Sequence, residues 1–298
     1  MAHFQGVYVA LVTPMTEDYR VDIQRLREIC EWLIQKGVDG LIPSGSLGEY
    51  ATLSDNERAA VVDTVTEVCQ GRVPVLVGTA AAATQDVVRW AEYAKQKGAA
   101  GLLSLPPINY VPLEEEVIAH YRALSKVGLP IIAYNNPRDY ATDLTPELLA
   151  KISRLDHVVG VKEFSGDVRR VHTILEQTDL EVMIGVDDLA LEGAISGATG
   201  WISGVPNALP AEGVRLFQLA RAGKLDEALP LYRRLLPLLH YDAKPILVQA
   251  IKYMMKLAGQ PVGPVRPPRL PLTGATYAAI DKAFAEVRVQ PTEPSVKE

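Results

Sequence analysis

The cysteine and histidine patterns that mark a disulfide scaffold or a metal site are missing from this sequence of 298 residues. The two cysteines, Cys30 and Cys69, lie in helical-looking segments and form no CxxC pair, so we expect no disulfide framework and a reducing, cytoplasmic setting. The five histidines show no HxH or HExxH spacing. Without such spacing, and without a Walker loop or a GxGxxG turn, we expect neither a metal site nor a cofactor.

An excess of positive charge and long apolar runs are also missing. The formal net charge is −6, which gives no basic surface for nucleic acid or an anionic membrane. No apolar run approaches the roughly 20 residues that a membrane-spanning helix needs. The first residues lack the basic and then apolar segments of a signal peptide. We therefore expect a soluble protein that binds neither nucleic acid nor membranes.

Eight short runs rich in β-forming apolar residues recur along the chain. Most are continuously apolar rather than alternating, which is typical of parallel strands covered on both faces. The runs are Val7–Pro14, Gly40–Gly45, Pro74–Thr79, Gly101–Leu105, Pro130–Asn135, Val158–Phe164, Glu181–Val186 and Thr199–Val205.

Helical patterns separate these runs. Asp22–Lys36 carries an apolar stripe, and Ser54–Gln70 begins with a capping box of Ser54 and Glu57. Eight alternating units predict an α/β fold, a closed (β/α)8 TIM barrel. The alternative, an open doubly wound sheet, would show a glycine-rich first turn, which is absent. We expect the barrel over residues 1–210 and, over 211–298, a C-terminal helical extension, broken by prolines and packed on the barrel.

Catalytic groups of such barrels lie at the C-terminal ends of the strands. Lys162 ends the sixth run, where desolvation would lower its pKa and free the amine to attack a carbonyl. The alternative is a lysine that reaches solvent or pairs with Glu163 or Asp187. Tyr134 ends the neighbouring fifth run and is a candidate for proton transfer. The alternative is a core tyrosine whose hydroxyl bonds the backbone.

Two further strand ends are candidates for ligand binding. After the second run, Gly45 and Gly48 would let backbone N–H groups hold a carboxylate, and Ser46 adds a hydroxyl donor. An ordinary turn is the alternative. After the seventh run, Gly185 permits close approach of a ligand, and we expect the following aspartates, Asp187 and Asp188, to cap a helix.

Four motifs follow one another along the predicted barrel. They are a GxxGE loop (Gly45, Gly48, Glu49), a YNxP segment (Tyr134, Asn135, Pro137), a GxKE strand (Gly160, Lys162, Glu163), and Gly185 with Gly200-Trp201-Ile202-Ser203.

In this order and spacing, over roughly residues 5–210, the motifs resemble the dihydrodipicolinate synthase and N-acetylneuraminate lyase family. The resemblance implies a Schiff base at Lys162, a proton relay through Tyr134, and a homotetramer built as a dimer of dimers. It also implies that Ser46 and the N–H of Leu47 bind the substrate carboxylate and that Ile202 makes a backbone contact.

Three positions depart from the synthases of that family. Leu47 stands where they have a second loop threonine, and Ile108 where they supply a tyrosine to a neighbouring subunit, although Tyr110 is close. Asp139 stands in place of the arginine that holds the aldehyde's carboxylate, with Arg138 one position earlier. We therefore do not expect efficient synthesis of dihydrodipicolinate.

What remains is a Schiff-base lyase acting on a small 2-oxo acid or its cyclic imine. The Asn136-containing segment and the downstream Asp143–Pro146 stretch look most like the dehydratase and deaminase branch, including a pyrroline-4-hydroxy-2-carboxylate deaminase. The alternatives are a pyruvate-dependent aldolase of the N-acetylneuraminate lyase type, or dihydrodipicolinate synthase itself. A non-catalytic ligand-binding barrel is a further alternative, but it predicts loss of Lys162 or Tyr134, and both are present.

Overall fold

A computed structural model describes residues 4–288. Eight parallel strands form one sheet in the order β2-β1-β8-β7-β6-β5-β4-β3. A parallel bridge between Leu41 and Val75 joins the two ends, so the sheet closes into the predicted TIM barrel. The strands are β1 Gly6–Ala10, β2 Gly40–Ile42, β3 Leu76–Gly78, β4 Gly101–Ser104, β5 Ile131–Asn135, β6 Val158–Glu163, β7 Glu181–Ile184 and β8 Gly200–Ser203.

Alternation along each strand divides the apolar side chains between two cores. One set fills the barrel interior, and the other packs under the helices; in β6, Val161 belongs to the outer core. Because both faces are covered, the strands are apolar throughout, as the sequence predicted. The interior cluster includes Phe4, Tyr8, Ile42, Leu76, Leu103, Ile132, Tyr134, Met183 and Ile202.

Helices follow the strands, and their caps match the sequence signals. Asp22 caps α1 by accepting from the N–H of Arg25, and Ser54 and Glu57 form the predicted capping box of α2. The helices of this layer are α1 Ile23–Gln35, α2 Asp55–Cys69, α3 Thr84–Gln96, α4 Glu114–Ser125, α5 Pro137–Tyr140, α6 Pro146–Ile152, α7 Arg170–Gln177, α8 Ala190–Ile195 and α9 Pro210–Arg221.

Three further helices form the end of the described chain: α10 Leu225–Leu239, α11 Leu247–Leu257 and α12 Gly274–Arg288. The expectation that prolines break this region is wrong for α10, which continues through Pro230 and Pro237. Burial of the apolar face of α10 stabilises the helix by more than is lost through the backbone hydrogen bonds that the two prolines cannot donate. Since α9 packs on β1 and α8, it takes the place of an outer barrel helix. The division at residue 210 stays a prediction, and residues 1–3 and 289–298 lie outside the described part.

Candidate active site

Lys162 and Tyr134 lie side by side at the C-terminal ends of two paired strands. They are register partners in the β5–β6 ladder, so both side chains point into the barrel. The Lys162 Nζ atom is 4.3 Å from the centre of the Tyr134 ring and 5.5 Å from that of Phe164. Lys162 and Tyr134 are buried. The barrel therefore presents an amine and a phenol to the same small volume.

The surroundings of Lys162 act on the pKa of its amine in two opposite directions. Burial lowers its pKa, and the carboxyl groups of Asp242, Asp187 and Asp139 act in the opposite direction. Among residues 4–288, Lys162 makes no hydrogen bond or ion pair, including with Glu163, which instead accepts from Asn135 Nδ2 at 3.0 Å. A desolvated amine held against aromatic rings is suited to nucleophilic attack on a carbonyl carbon.

Asp187 does not cap a helix, contrary to the expectation from the sequence. Its fully buried carboxylate accepts from Trp201 Nε1 at 3.0 Å and from the backbone N–H of Val205 at 3.0 Å. Burial raises its pKa to about 6, while these donors oppose the shift. The strand that follows, β8, thus satisfies this carboxylate, because barrel closure places the ends of β7 and β8 next to each other. Asp188 contacts His240 Nδ1 at 2.7 Å.

A second buried carboxyl, that of Asp242, reaches the site from the segment between α10 and α11. Its Oδ2 accepts from the N–H of Asp187 at 3.2 Å. Burial raises its pKa well above the usual range for aspartate, and the charge of Asp187 adds to the effect. The electrostatic influence of Asp242 extends to both Lys162 and Tyr134. No sequence motif pointed to Asp242, since only the folding of the extension brings it here.

The loop after β2 contains the predicted carboxylate-binding residues. Ser46 is half-buried, and its Oγ lies 2.7 Å from the hydroxyl of Tyr140. The side chain of Leu47 is buried in the outer core, so only its backbone is available to a ligand. A side chain added at Gly45 would meet no described atom within 4 Å, which leaves open space beside the loop.

Gly185 and Ile202 complete the set of predicted residues. A Cβ atom at Gly185 would lie 2.9 Å from Lys162 Cε, so a larger residue would displace the lysine. Ile202 is fully buried and belongs to the same interior cluster as Tyr134. Gly185 and Tyr134 therefore flank Lys162 directly, whereas Ser46 belongs to a polar group around Tyr140. No sequence motif pointed to Tyr140, although it follows the YNxP segment closely.

Asn136 holds the hydroxyl of Tyr134. Its Nδ2 donates to the Tyr134 oxygen at 3.1 Å and to Asp139 Oδ2 at 2.8 Å. The phenol hydrogen of Tyr134 is therefore left to face a ligand.

Arg138 is exposed and lies over Gly166, where a Cβ would meet its guanidinium at 2.4 Å. Tyr110 is 56% exposed. Within this chain, Arg138 therefore does not take the place of the arginine of the family's synthases, and Tyr110 does not take the place of their tyrosine.

A model described as the dihydrodipicolinate synthetase family matches residues 3–287. The chain belongs to this family. One relative, the 4-hydroxy-tetrahydrodipicolinate synthase of Methanoculleus marisnigri, is 37% identical over 273 residues, covering 89% of this chain and 93% of the relative. The synthase of Syntrophobacter fumaroxidans is 35% identical and covers 91% and 94%. This family member is thus a lyase of the Schiff-base-forming type.

Solved structures agree with this placement. A putative dihydrodipicolinate synthetase from Pseudomonas aeruginosa superposes with a TM-score of 0.91 at 36% identity, covering 96% of this chain and all of that one. A dihydrodipicolinate synthase from Acinetobacter baumannii, solved with pyruvate, gives 0.91 at 28% identity and covers 95% and 98%. The similarity therefore extends over the extension as well as the barrel.

Other features of the surface lie apart from this site. A cavity of about 730 Å³ is lined by Lys252, Lys256 and Arg269, but neither Lys162 nor Tyr134 contributes to its wall. Within residues 4–288, no group of three or more His, Cys, Asp or Glu side chains is arranged to hold a metal ion. None of the helices described there is long and apolar enough to cross a membrane.

Proposed function

We propose that this lyase forms a Schiff base between Lys162 and a small 2-oxo acid, or opens the corresponding cyclic imine, and then eliminates water or ammonia. The observation that carries the proposal is the buried Lys162 amine, which has no ion-pair partner in the described chain and faces the Tyr134 ring at 4.3 Å. An iminium at this nitrogen would withdraw electrons from the adjacent carbon, and this activates elimination at the next carbon.

The roles of the remaining site residues are part of the proposal. Tyr134, with its oxygen held by Asn136, transfers protons during formation and loss of the carbinolamine. Ser46 and the N–H of Leu47 bind the substrate carboxylate beside Gly45. Gly185 leaves room for the lysine, and Ile202 contributes a backbone contact.

The charge around the barrel mouth supports elimination rather than synthesis. Asp139, Asp187 and Asp242 all act on Lys162, and Arg138 lies over the Gly166 loop. A second substrate carboxylate would therefore meet carboxyl groups where it needs a bidentate cation. This favours a pyrroline-4-hydroxy-2-carboxylate deaminase-like reaction.

Synthesis of 4-hydroxy-tetrahydrodipicolinate is the second candidate, since the relatives compared above carry that name. The A. baumannii structure was solved with pyruvate, which also suits a pyruvate-dependent aldolase. The three reactions differ in their products: ammonia or water with the carbon chain intact, a condensed ring, or free pyruvate.

Trapping with borohydride tests the mechanism common to these reactions. Incubation with pyruvate, 2-oxobutyrate or 2-oxoglutarate, followed by reduction and peptide mapping, is expected to label Lys162. Labelling of another lysine, or of none, would contradict the proposal. Parallel assays of semialdehyde release from pyrroline-hydroxycarboxylate and of dihydrodipicolinate formation then separate the candidates. A synthase rate near the ordinary turnover of about 10 per second would overturn the elimination proposal.

A cytoplasmic location and a homotetramer built as a dimer of dimers are proposed with this function. One structural neighbour with a TM-score of 0.90 is described as a monomeric dihydrodipicolinate synthase variant, so the assembly needs its own measurement. Sedimentation at the assay concentration would provide it.

A further inference from the structure

The cavity of about 730 Å³ noted above lies at the junction of the barrel mouth and the C-terminal extension. We call it the junction cavity. Its wall is formed by the loop between β1 and α1, one face of α11, the segment 261–272 and the start of α12. The described residues that line it include none of Lys162, Tyr134 and Ser46, so the cavity is separate from the candidate active site. Its volume is typical of sites that bind small molecules.

Two cations on this wall are unpaired or only weakly paired. The Arg269 guanidinium is 3.9 Å from Glu49 Oε2, beyond hydrogen-bond distance, and that oxygen already accepts from the N–H of Arg266 at 3.0 Å. Lys256 is exposed and makes no ion pair within residues 4–288. In that part of the chain, neither the Arg269 nor the Lys256 side chain donates a hydrogen bond. Both therefore retain donors for an anion.

The charge balance of the wall limits the kind of anion. Lys252 is the third cation, but its Nζ atom is 2.8 Å from Glu49 Oε1, so its charge is neutralised. Glu17 is the acidic residue of the lining, and it is exposed. Three cations thus face two carboxylates, which leaves a small excess of positive charge. This excess suits a single carboxylate better than a phosphate group, which carries about two negative charges at neutral pH.

Aromatic and apolar groups form much of the remaining lining. The rings of Tyr253 and Tyr277 meet edge to face, with their centres 4.6 Å apart. The Tyr253 hydroxyl donates to Asp281 at 2.6 Å, which fixes the ring beside the cavity. Pro264 and Leu272 add apolar surface. An aromatic or aliphatic group bound here would remove this surface from water, and the hydrophobic effect would stabilise it.

The segment 261–272 is held in place from both sides of the cavity. On the barrel side, the N–H of Met15 donates to the carbonyl of Val262 at 3.0 Å. Gly263 has a φ of 72°, and a Cβ atom there would overlap the carbonyl oxygen of Met15. On the helix side, Lys252 donates to the carbonyl of Pro264 at 2.8 Å. The cavity is therefore preformed, which lowers the ordering cost of binding a ligand.

We propose that the junction cavity is a second ligand site, which binds a small monocarboxylate with an aromatic or apolar body. Arg269 holds the carboxylate, Lys256 adds attraction, and the body packs on Tyr277 and Leu272. Because Arg269 makes no hydrogen bond to Glu49, a ligand can take up its donors without breaking one. The site takes no part in the Schiff-base step.

The test measures binding of 4-fluorophenylacetate to the whole enzyme by fluorine NMR. This probe has a carboxylate and an aromatic body but no keto group, so it cannot form a Schiff base. We expect a Kd of about 1 mM or below, as for other ligands of this size. The uncharged analogue 4-fluorophenylethanol is expected to bind at least about tenfold more weakly, because it offers no anion to Arg269. Acetate lacks the aromatic body and should compete at least about tenfold more weakly than phenylacetate.

Arg269→Gln is the main variant. We expect it to weaken binding of 4-fluorophenylacetate by about tenfold or more and to leave binding of 4-fluorophenylethanol unchanged. A merely structural role of Arg269 would lower both affinities together. Arg233→Gln is the matched control, since Arg233 is exposed on α10 and lies outside the lining, and it should bind both compounds as the wild type does. Lys256→Gln is expected to weaken binding of the carboxylate by about threefold, and it tests the same site if Arg269→Gln fails to fold.

Competition separates the junction cavity from the active site. A large excess of pyruvate is expected to leave the affinity for 4-fluorophenylacetate unchanged, because the two compounds bind in different places. Ser46→Ala is likewise expected to bind the probe as the wild type does. Hydrogen–deuterium exchange of the segment 261–272 should slow when the probe is bound, since this segment forms part of the wall.

Several results would overturn the second site. They are no binding of the probe to the wild type at about 10 mM, an affinity of Arg269→Gln within about twofold of the wild type, or equal affinity for the uncharged analogue. Displacement of the probe by pyruvate would also overturn it, because the probe would then occupy the active site. None of these results affects the proposed Schiff base, and a failure of borohydride trapping would leave the junction cavity unaffected.

Discussion

Two lysines are buried to nearly the same extent, one at the barrel mouth and one at the junction with the C-terminal extension. Lys162 is 6% exposed and Lys252 is 5% exposed. Burial lowers the pKa of both. Lys252 contacts Glu49 Oε1 at 2.8 Å and donates to the carbonyl of Pro264 at 2.8 Å, whereas Lys162 faces aromatic rings.

On the proposed function, this difference separates a structural lysine, Lys252, from a reactive one, Lys162. The charge of Lys252 is neutralised by Glu49, which also accepts from the N–H of Arg266 and so ties the loop after β2 to the extension. Both Ser44 and Glu49 adopt left-handed backbone conformations there, which cost about 1 kcal/mol or more each for residues other than glycine. The junction thus holds the loop after β2 in shape, whereas Lys162 at the barrel mouth has no ion-pair partner in the described chain. Burial alone does not distinguish the two roles; the presence of a counter-ion does.

The largest expected effect is on activity at the mouth. Lys162→Met should abolish borohydride labelling and reduce turnover by about a thousandfold or more, because the iminium cannot form. Urea unfolding should show stability equal to or above that of the wild type, since an unpaired buried amine is removed. Residual labelling at a normal rate would show that the reactive amine lies elsewhere.

The phenol next to this lysine should have the second largest effect. Tyr134→Phe keeps the ring against Lys162 but removes the hydroxyl that Asn136 holds. We expect the variant to fold normally and its turnover to fall by about 100-fold, which is a typical rate contribution of proton transfer by a positioned side chain. Steady-state rates with the identified substrate measure it, and a near-normal rate would make Tyr134 a packing residue.

At the junction the expected effect is on stability instead. Lys252→Met removes the nearest cation from the buried carboxylate of Glu49 and leaves it the N–H of Arg266 and the more distant guanidinium of Arg269, at 3.9 Å. We therefore expect a loss of about 3 kcal/mol of unfolding free energy. The double variant Lys252→Met/Glu49→Leu removes both charges and should recover most of it. If the single variant is as stable as Lys162→Met, the contrast between the two lysines is wrong.

The smallest expected effect lies at the edge of the same junction and depends on pH. Arg266 contacts both carboxylate oxygens of Glu57 and, with Ser54, lowers the pKa of Glu57 to about 2. A lowered folded-state pKa means that the stabilisation is complete above about pH 4.5 and is lost as the pH falls toward 2.

Glu57→Gln keeps the capping residue type but removes the charge. Allowing for partial exposure, we expect it to cost about 1–2 kcal/mol at neutral pH and close to nothing near pH 2. Urea unfolding of both proteins across this range measures the difference. A gap that does not narrow on acidification would show that the pairing contributes no charge-dependent stability.

Most of the barrel and its two central side chains could be predicted from the sequence. Each of the eight apolar runs overlaps a strand, since residues buried on both faces leave a local, continuous pattern. Lys162 and Tyr134 were found because each ends such a run, and neighbouring parallel strands end at the same edge. The prediction was wrong for Asp187. Its position before a helical segment suggested a helix cap, but its carboxylate accepts hydrogen bonds from Trp201 and Val205, at the end of β8.

The sequence by itself determined the strand and helix order, the family and the residues at the strand ends, because these depend on short-range periodicity and motif spacing. Only the tertiary structure decided that Asp242 joins the site, that Tyr140 bonds Ser46, and that Glu49 pairs with Lys252. Asp187 and Asp242 are 55 positions apart, and Glu49 and Arg266 are 217 apart. Such contacts have no local signature, since they exist only once the barrel has closed and the extension has packed against its mouth.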